Sequence, residues 1–399
     1  MATNRSFLPA ALAVALGLLP LLSGSGAPAA APPEATPAAA TPGSGDPPPI
    51  DNPIRVLDAR ALTDMEQLLD AIAQRRVVFV GENHDRYEDH LSQLKVIEGL
   101  KRRGKDLAIG VEFFQQPYQA VVDAYIAGTI EEPEFLRRTQ YFDRWRFDYR
   151  LYRPLLRYAR EHRIPVIALN LESELTRRVG EVGIAGLTKA ERARLPAKID
   201  RSDPAYEARI AAVFAHHPGA DKKSFDRFME VQLLWDEGMA ERAARYLSAN
   251  PGKTLVVLAG GGHIEYGQGI PKRLTRRLPV TTATLLNAGE REPEAALADY
   301  LLFPQPVELP PGGLLGVQLG EPGEARGAPV QGFGEGSGAQ AAGLKEGDLI
   351  VRIGDQPVAG YADIRIALLD RRPGQRVPVE VRRKGGGGEE TLSFEVELH

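Results

Sequence analysis

No cysteine occurs anywhere in the 399 residues. Its absence excludes disulfides, thiolate metal centres, thiol nucleophiles and the lipid-bearing cysteine of a bacterial lipoprotein. It does not argue for the cytoplasm, because an exported protein with a sufficient core needs no disulfide. An excess of charge of one sign is also missing: 49 Lys and Arg stand against 53 Asp and Glu, a formal net charge of −4. No basic surface therefore advertises nucleic acid, and no such partner is expected. Long apolar runs are absent beyond the N-terminus, so no later segment is expected to span a bilayer. What remains, 43% hydrophobic and 26% charged residues, suits a chain of two globular domains with extensions.

The N-terminus points outward. Residues 1–29 carry one positive charge at Arg5, an apolar run over 7–22 and then small residues, with Ala27-Pro28-Ala29 fitting the small-x-small pattern of a signal-peptidase site. Cleavage is expected near Ala29/Ala30; an uncleaved membrane anchor is the alternative, disfavoured by Pro9, Pro20 and the short run. Either way the rest is expected outside the cytoplasm, in the periplasm or cell envelope. Residues 30–50, rich in Ala and Pro, read as a disordered linker.

Over 51–290 strands and helices alternate. Uninterrupted apolar runs at 77–80, 107–111, 165–169 and 255–259 read as buried strands, and 64–74, 90–102, 151–162 and 225–249 as amphipathic helices. Strands without alternation, separated by helices, imply an α/β fold: a parallel sheet with helices on both faces. Residues 172–222 are charged, strandless and broken by Pro196, Pro204 and Pro218, which predicts a helical insertion able to act as a lid. A proline-rich break follows, read as a linker over 291–311. Beyond it, 312–399 turns to short β-like runs with many glycines, a small separate β-rich domain.

"VVFVGENHD" (77–85) and "LVVLAGGGH" (255–263) share a form: an apolar strand, a glycine, two residues and a histidine. The other two strands end in Glu112 ("LAIGVE") and Asn170 ("PVIALN"). In a parallel sheet all carboxyl ends lie along one edge, where ligands bind. Glu82, His84, Glu112, Asn170 and His263 should therefore gather in one crevice. Two of only seven histidines placed this way is informative; a polar cap over the sheet edge is the plainer alternative.

Two chemistries suit such a set. His84, His263 and Glu112 are ligand types for a divalent metal such as zinc or manganese, with Glu82 or Glu112 as general base of a metal-assisted hydrolysis. Alternatively the crevice holds a flat apolar cofactor such as haem, which wants aromatic walls, an axial Tyr or His and basic groups for its propionates. Phe113, Phe114, Tyr87, Tyr118, Tyr266 and the cluster "YFDRWRFDYRLY" (141–152) are at hand, although core packing accounts for that cluster more simply. His90 lies six residues after His84 on a helix, with its face undecided; Asp236 is a candidate to orient a site residue; His162, His216 and His217 read as surface.

"VVFVGENHDRYEDHLSQL", "IGVEFFQQPYQ", "YRPLLRYAREHRIPVIALN", "LWDEGMA" and "VVLAGGGHIEYGQGIPKRL", in this order over roughly 65–285, resemble the ChaN-like haem-binding proteins of bacterial iron uptake. The resemblance implies an exported haem-binding protein, haem held between the subunits of a homodimer, and a tyrosine ligand. More distantly it extends to TraB/Tiki proteins and erythromycin esterases, which share paired G-x-x-H or G-E-x-H motifs. It carries Glu82, His84, Glu112, Asn170 and His263 into the family's crevice. The axial tyrosine stays open among Tyr87, Tyr118 and Tyr266, with Tyr266, just after His263, counted among the cofactor-binding residues. Two departures stand out: the lipobox cysteine is missing, and the C-terminal domain is extra.

That domain, through "AGLKEGDLIVRIGDQPV" (342–358), resembles a PDZ domain of the bacterial HtrA type. Leu315, Gly316 and Val317 would then offer backbone N–H groups to a peptide's terminal carboxylate, the next strand pairing with the peptide. Leu315, Val317 and residues 364–369 would form an apolar pocket for its last side chain. The expectation is thus an exported haem-binding protein with a PDZ module for docking a C-terminal peptide or protein; a metal-dependent hydrolase using His84, His263 and Glu112 is the alternative.

Overall fold

The computed structural model describes residues 63–216, 222–289, 293–321, 323, 326–385 and 388–399. The expected signal peptide (1–29) and linker (30–50), the first residues of the 51–290 domain and His217 lie outside the described residues.

Along the chain run α1 (Met65–Ile72), β1 (Val77–Glu82), α2 (Tyr87–Arg102), β2 (Leu107–Gln115), α3 (Gln119–Ile126), α4 (Glu132–Arg138), α5 (Tyr141–Arg144), α6 (Tyr149–Glu161) and β3 (Val166–Asn170). The insertion follows as α7 (Ser173–Val182), α8 (Lys189–Arg192) and α9 (Pro204–Phe214). Then come α10 (Lys222–Ala249), β4 (Thr254–Gly260), α11 (Ile270–Arg277), β5 (Thr282–Asn287) and β6 (Tyr300–Leu302). The six strands form one parallel sheet in the order β3-β2-β4-β1-β5-β6.

Strand alternation splits each run between two layers. Val78 and Val80 face a core built with α1, α2 and α3–α6, while Val77 and Phe79 face α10 and α11. All four are fully buried, which is worth about 1.5–3 kcal/mol per side chain. Helix starts are written locally: Asp64 caps α1 through the Gln67 amide, and Asp148 caps α6 through that of Arg150. Proline-split segment 173–214 holds α7, α8 and α9 and no strand; it packs on α10. Among the described residues no helix is long and apolar enough to cross a membrane.

The order places β1 beside β4, with α2 leaving β1 over one face and α11 leaving β4 over the other. That reversal falls at the carboxyl ends of these two strands, the position where open α/β sheets bind ligands.

Two strands of this sheet escaped the sequence reading. β5 alternates Thr with apolar residues, and β6 has three residues inside the stretch 291–311 read as a linker. The correction is that β6 pairs with β5 as the sheet's edge, so the first domain extends to residue 302. Only the remainder of that stretch connects.

The C-terminal domain has β7 (Val317–Leu319), β8 (Ala328–Phe333), α12 (Gly338–Ala342), β9 (Leu349–Ile353), β10 (Gln356–Pro357), α13 (Tyr361–Ala367), β11 (Arg376–Gly385) and β12 (Gly388–Glu397). Its sheet is antiparallel, β12-β11-β9-β8-β7, with β7 at the edge.

Candidate functional site

β1 ends at Glu82, and the turn into α2 is fixed by Asp89. Its Oδ2 accepts from the Asn83 amide at 2.8 Å and from Asn83 Nδ2 at 2.9 Å. The first turn of α2 thereby folds back over the strand end. His90 Nδ1 comes within 2.8 Å of Glu82 Oε2, an ion-pair distance without hydrogen-bond alignment, and His90 Nε2 lies 3.2 Å from the His84 carbonyl oxygen. Glu82 Oε1 accepts from the Tyr152 hydroxyl at 3.1 Å and lies 2.8 Å from His84 Nδ1. Burial by itself would push the Glu82 carboxyl up; the His90 charge and the two histidine contacts outweigh it and hold the group well below the carboxylate range. Burial works against protonation of His84 and His90 as well, and Glu82 reverses it, raising both.

β4 builds the second half. A tight turn after Gly260 delivers His263, whose Nδ1 sits 2.6 Å from Asp236 Oδ1 on α10. Asp236 Oδ2 accepts from the hydroxyl of Tyr206, supplied by α9 of the insertion, at 2.7 Å. On the other side His263 Nε2 is 3.4 Å from Glu112 Oε1, and Glu112 Oε2 accepts from the Gly260 amide at 2.8 Å. Burial opposes a charge on His263, but Glu112 and then Asp236 overcome it and push its pKa up to about 10. Against the same burial, the His263 charge holds Glu112 and Asp236 below their usual range.

Gly260 joins the halves. A Cβ there would lie 2.9 Å from His84 Cε1, 3.0 Å from His84 Nε2 and 3.7 Å from Glu112 Oε2. The edge of the His84 ring therefore lies on bare backbone beside Glu112, and a side chain at this position would displace it. The outer side of His84 is framed by Trp145 and Phe147, each with its ring centroid 4.9 Å away.

The structure thus brings together Glu82, His84, Glu112 and His263. It does not bring in Asn170, whose Oδ1 accepts from the Leu171 amide at 2.9 Å, nor Tyr266. That tyrosine donates to Glu294 at 3.0 Å and lines a separate pocket of about 500 Å³ with Lys272 and Asp299. A second pocket, about 620 Å³, lies between α4, α6 and α13, also away from the histidines. Sequence reasoning misses Tyr206 and leaves the face of His90 undecided. Tyr152, Trp145 and Phe147 lie in the 141–152 cluster, weighed as cofactor walls but accounted for more simply by core packing. A motif scan sees residues at strand ends, and these reach the site from helices and a loop.

Chemically the arrangement is two imidazole–carboxylate pairs sharing Glu112 and Gly260 as a wall. With Nδ1 on Asp236 and Nε2 facing Glu112 at ion-pair distance, a protonated His263 would have to lose its proton to ligate a metal. Among the described residues no three His, Asp or Glu side chains are placed to hold a metal ion. Glu82, Glu112 and His263 are at most 7% exposed, which leaves no room for a macrocycle between the pairs. The His84 side chain, 13% exposed, is the part of the set that meets solvent, and Trp145 and Phe147 beside it are the aromatic surface a flat ligand needs.

In the C-terminal domain Leu315 and Gly316 precede the edge strand β7. Gly316 has φ +76°, and a Cβ there would meet Ser337 Cα at 2.7 Å. The Leu315 and Gly316 amides have no partner among the described residues, as a carboxylate-receiving loop requires. Of the apolar residues expected beside them, Leu315, Ile364 and Leu368 are buried in that domain's core, and Val317 packs against it partly buried.

Comparison with known proteins sets this geometry in context. Residues 68–274 match the family described as haem-binding uptake, Tiki superfamily, ChaN, and residues 313–398 match the PDZ domain. Protein RETICULATA-RELATED 5, a chloroplast protein of Arabidopsis thaliana, is 25% identical over 284 residues, 62% of this chain and 38% of that protein. The chain thus spans under half the length of the curated relative it matches. The structure of ChaN of Campylobacter jejuni with cofacial haem superposes with a TM-score of 0.50 at 16% identity, covering 61% of this chain and 92% of that one. The two share a fold. A mutant erythromycin esterase in its open conformation aligns at 14% identity and TM-score 0.35, over 55% of this chain and 72% of that one.

Proposed function

We propose, for a chain that belongs to the ChaN family of the Tiki superfamily, that it binds haem at the rim of the strand ends and docks peptides through its PDZ domain. One observation carries the placement of haem: His84, its Nδ1 tied to Glu82, is the solvent-facing member of the site and is flanked by the Trp145 and Phe147 rings. Trp145 and Phe147 would give the macrocycle an apolar face. Exposed Arg86 and Arg146, beside His84 and Trp145 in sequence, would serve the propionates. Haem would supply the bound iron, and the protein would supply the wall and the charges. The buried pairs beneath would fix the orientation of His84 rather than touch the guest.

Haemin titration of the full chain tests this. A saturable Soret shift is expected, with affinity lower by about tenfold or more in Trp145→Ala or Phe147→Ala; a titration without saturation overturns it. Sedimentation with and without haemin tests whether haem assembles a homodimer. Export rests on the N-terminal pattern, and sequencing of the mature N-terminus tests cleavage near Ala29/Ala30. For the PDZ domain, amidating a peptide's C-terminus should abolish its binding.

A second reading, hydrolysis, is favoured by the direction of His84: with Nδ1 held by Glu82, Nε2 faces Gly260 and Glu112 as a general base would face its water. The zinc or manganese ligand set expected from the sequence, His84, Glu112 and His263, is not placed to hold a metal ion, so this reading stands on His84 as base. Turnover of a chromogenic ester that is lost in His84→Ala, without a Soret shift, would favour it over haem.

A further inference from the structure

The helix α13 belongs to the PDZ domain by sequence and to both domains by packing. Ile364 and Leu368 face the PDZ core, while Ile366 is buried in the first domain's core with Ala362 and Leu369 against it. Polar contacts reinforce this second face. Arg137 pairs with Asp363 at 2.8 Å, and Arg365 reaches Asp148 at 3.3 Å and lies over the Phe142 ring at 5.4 Å.

Phe142 and Asp148 lie within one short segment, 140–148, which holds α5 and the loop to α6. Its underside is Trp145 and Phe147, the two rings against His84. Gln140 before α5 and Arg146 after it have φ of 53° and 69°, left-handed conformations that non-glycine residues rarely adopt. Backbone held this way at two points of one segment persists only where the surroundings enforce it, and such points are where a segment can change course. One surrounding element is α13.

We propose that residues 140–148 are a lid over His84 and that the PDZ helix α13 is its latch, with Arg365 gripping the lid at Asp148 and Phe142. The grip couples the two domains: whatever shifts α13 changes access to His84, and whatever lifts the lid strains α13. This holds for any guest at His84 and does not rest on the haem reading.

The test needs no ligand. In a Trp235→Phe background Trp145 is the sole tryptophan, so acrylamide quenching of its fluorescence reports the lid. Carbethoxylation of His84, mapped by mass spectrometry, reports access beneath it. Arg365→Ala, and the milder Arg365→Gln, are expected to raise quenching and to speed His84 modification by about fivefold or more. Asp370→Ala removes a different interdomain pair, with Arg153, and should leave both readouts at the parental value. If the Arg365 variants leave quenching and modification unchanged, or Asp370→Ala raises them equally, α13 is not a latch.

Discussion

In the parallel-sheet domain Glu82, His90, Glu112, Asp236, Glu237, His263 and Arg273 are all at most 7% exposed, whereas among the described residues of the PDZ domain the buried polar side chains are Ser337 and Asp348. The PDZ core is otherwise valine, isoleucine, leucine and alanine. An apolar core is stable through area alone and tolerates small changes. Buried charges are costly unless each is matched, so they fix one arrangement and punish its loss. The first domain has thus placed its ionic groups at one strand edge and in the helices behind it, where they hold imidazoles in a set orientation.

Glu237 gives the largest expected effect. It is fully buried among Arg273, Arg276 and Arg277, and Glu237→Ala should cost the first domain about 3–5 kcal/mol by stranding those guanidinium groups. Denaturant unfolding should show an early transition for the sheet domain; a loss under 1 kcal/mol, on the scale of about 0–1 expected of surface pairs, would erase the contrast.

Alkaline pH comes next. The His263 pKa is raised in the folded state to about 10 from an unfolded value near 6.5. Its contribution is therefore complete below the unfolded value and is lost as pH rises through the folded one. On the order of 3 kcal/mol should leave the first domain between neutrality and pH 10. His263→Gln should flatten that dependence, and a slope unchanged in the variant would assign it to other groups.

The contrast also explains what could be read in advance. The runs at 77–80, 107–111, 165–169 and 255–259 have no polar interruption, and all became strands; burial on both faces writes itself into composition. β5 and β6 did not, because Thr282 and Thr284 break the run and three residues carry no period. Glu82, His84, Glu112 and His263 were legible because strand ends put them on one edge. His90 and Tyr206 were not: α2 must fold back on Asp89 to deliver the first, and an insertion with little periodicity delivers the second. The two-faced α13 did leave a trace, since "YADIRIALLD" has apolar residues at both 364/368 and 362/366/369, more than one domain's core requires.

Ile366 sharpens the comparison at the border, because its side chain sits in the first domain's core on a PDZ helix. Ile366→Ala should cost about 2–3 kcal/mol and should register in the first domain's unfolding, not only in that of the PDZ domain. An effect confined to the PDZ transition would mean that the interface adds nothing to the sheet domain.

The smallest effect is expected deep inside the PDZ domain. Ile350 is fully buried on β9 with only apolar neighbours in its cluster. Ile350→Val removes one methylene without exposing a charge or orphaning a donor, and the surrounding valines can close part of the gap. About 0.5–1.5 kcal/mol should be lost, the same at neutral and alkaline pH, since the side chains of its core cluster do not titrate. If that cost matched the Glu237→Ala value, rigidity would reside in the apolar core as much as in the ionic one, and the division of labour between the domains would fail.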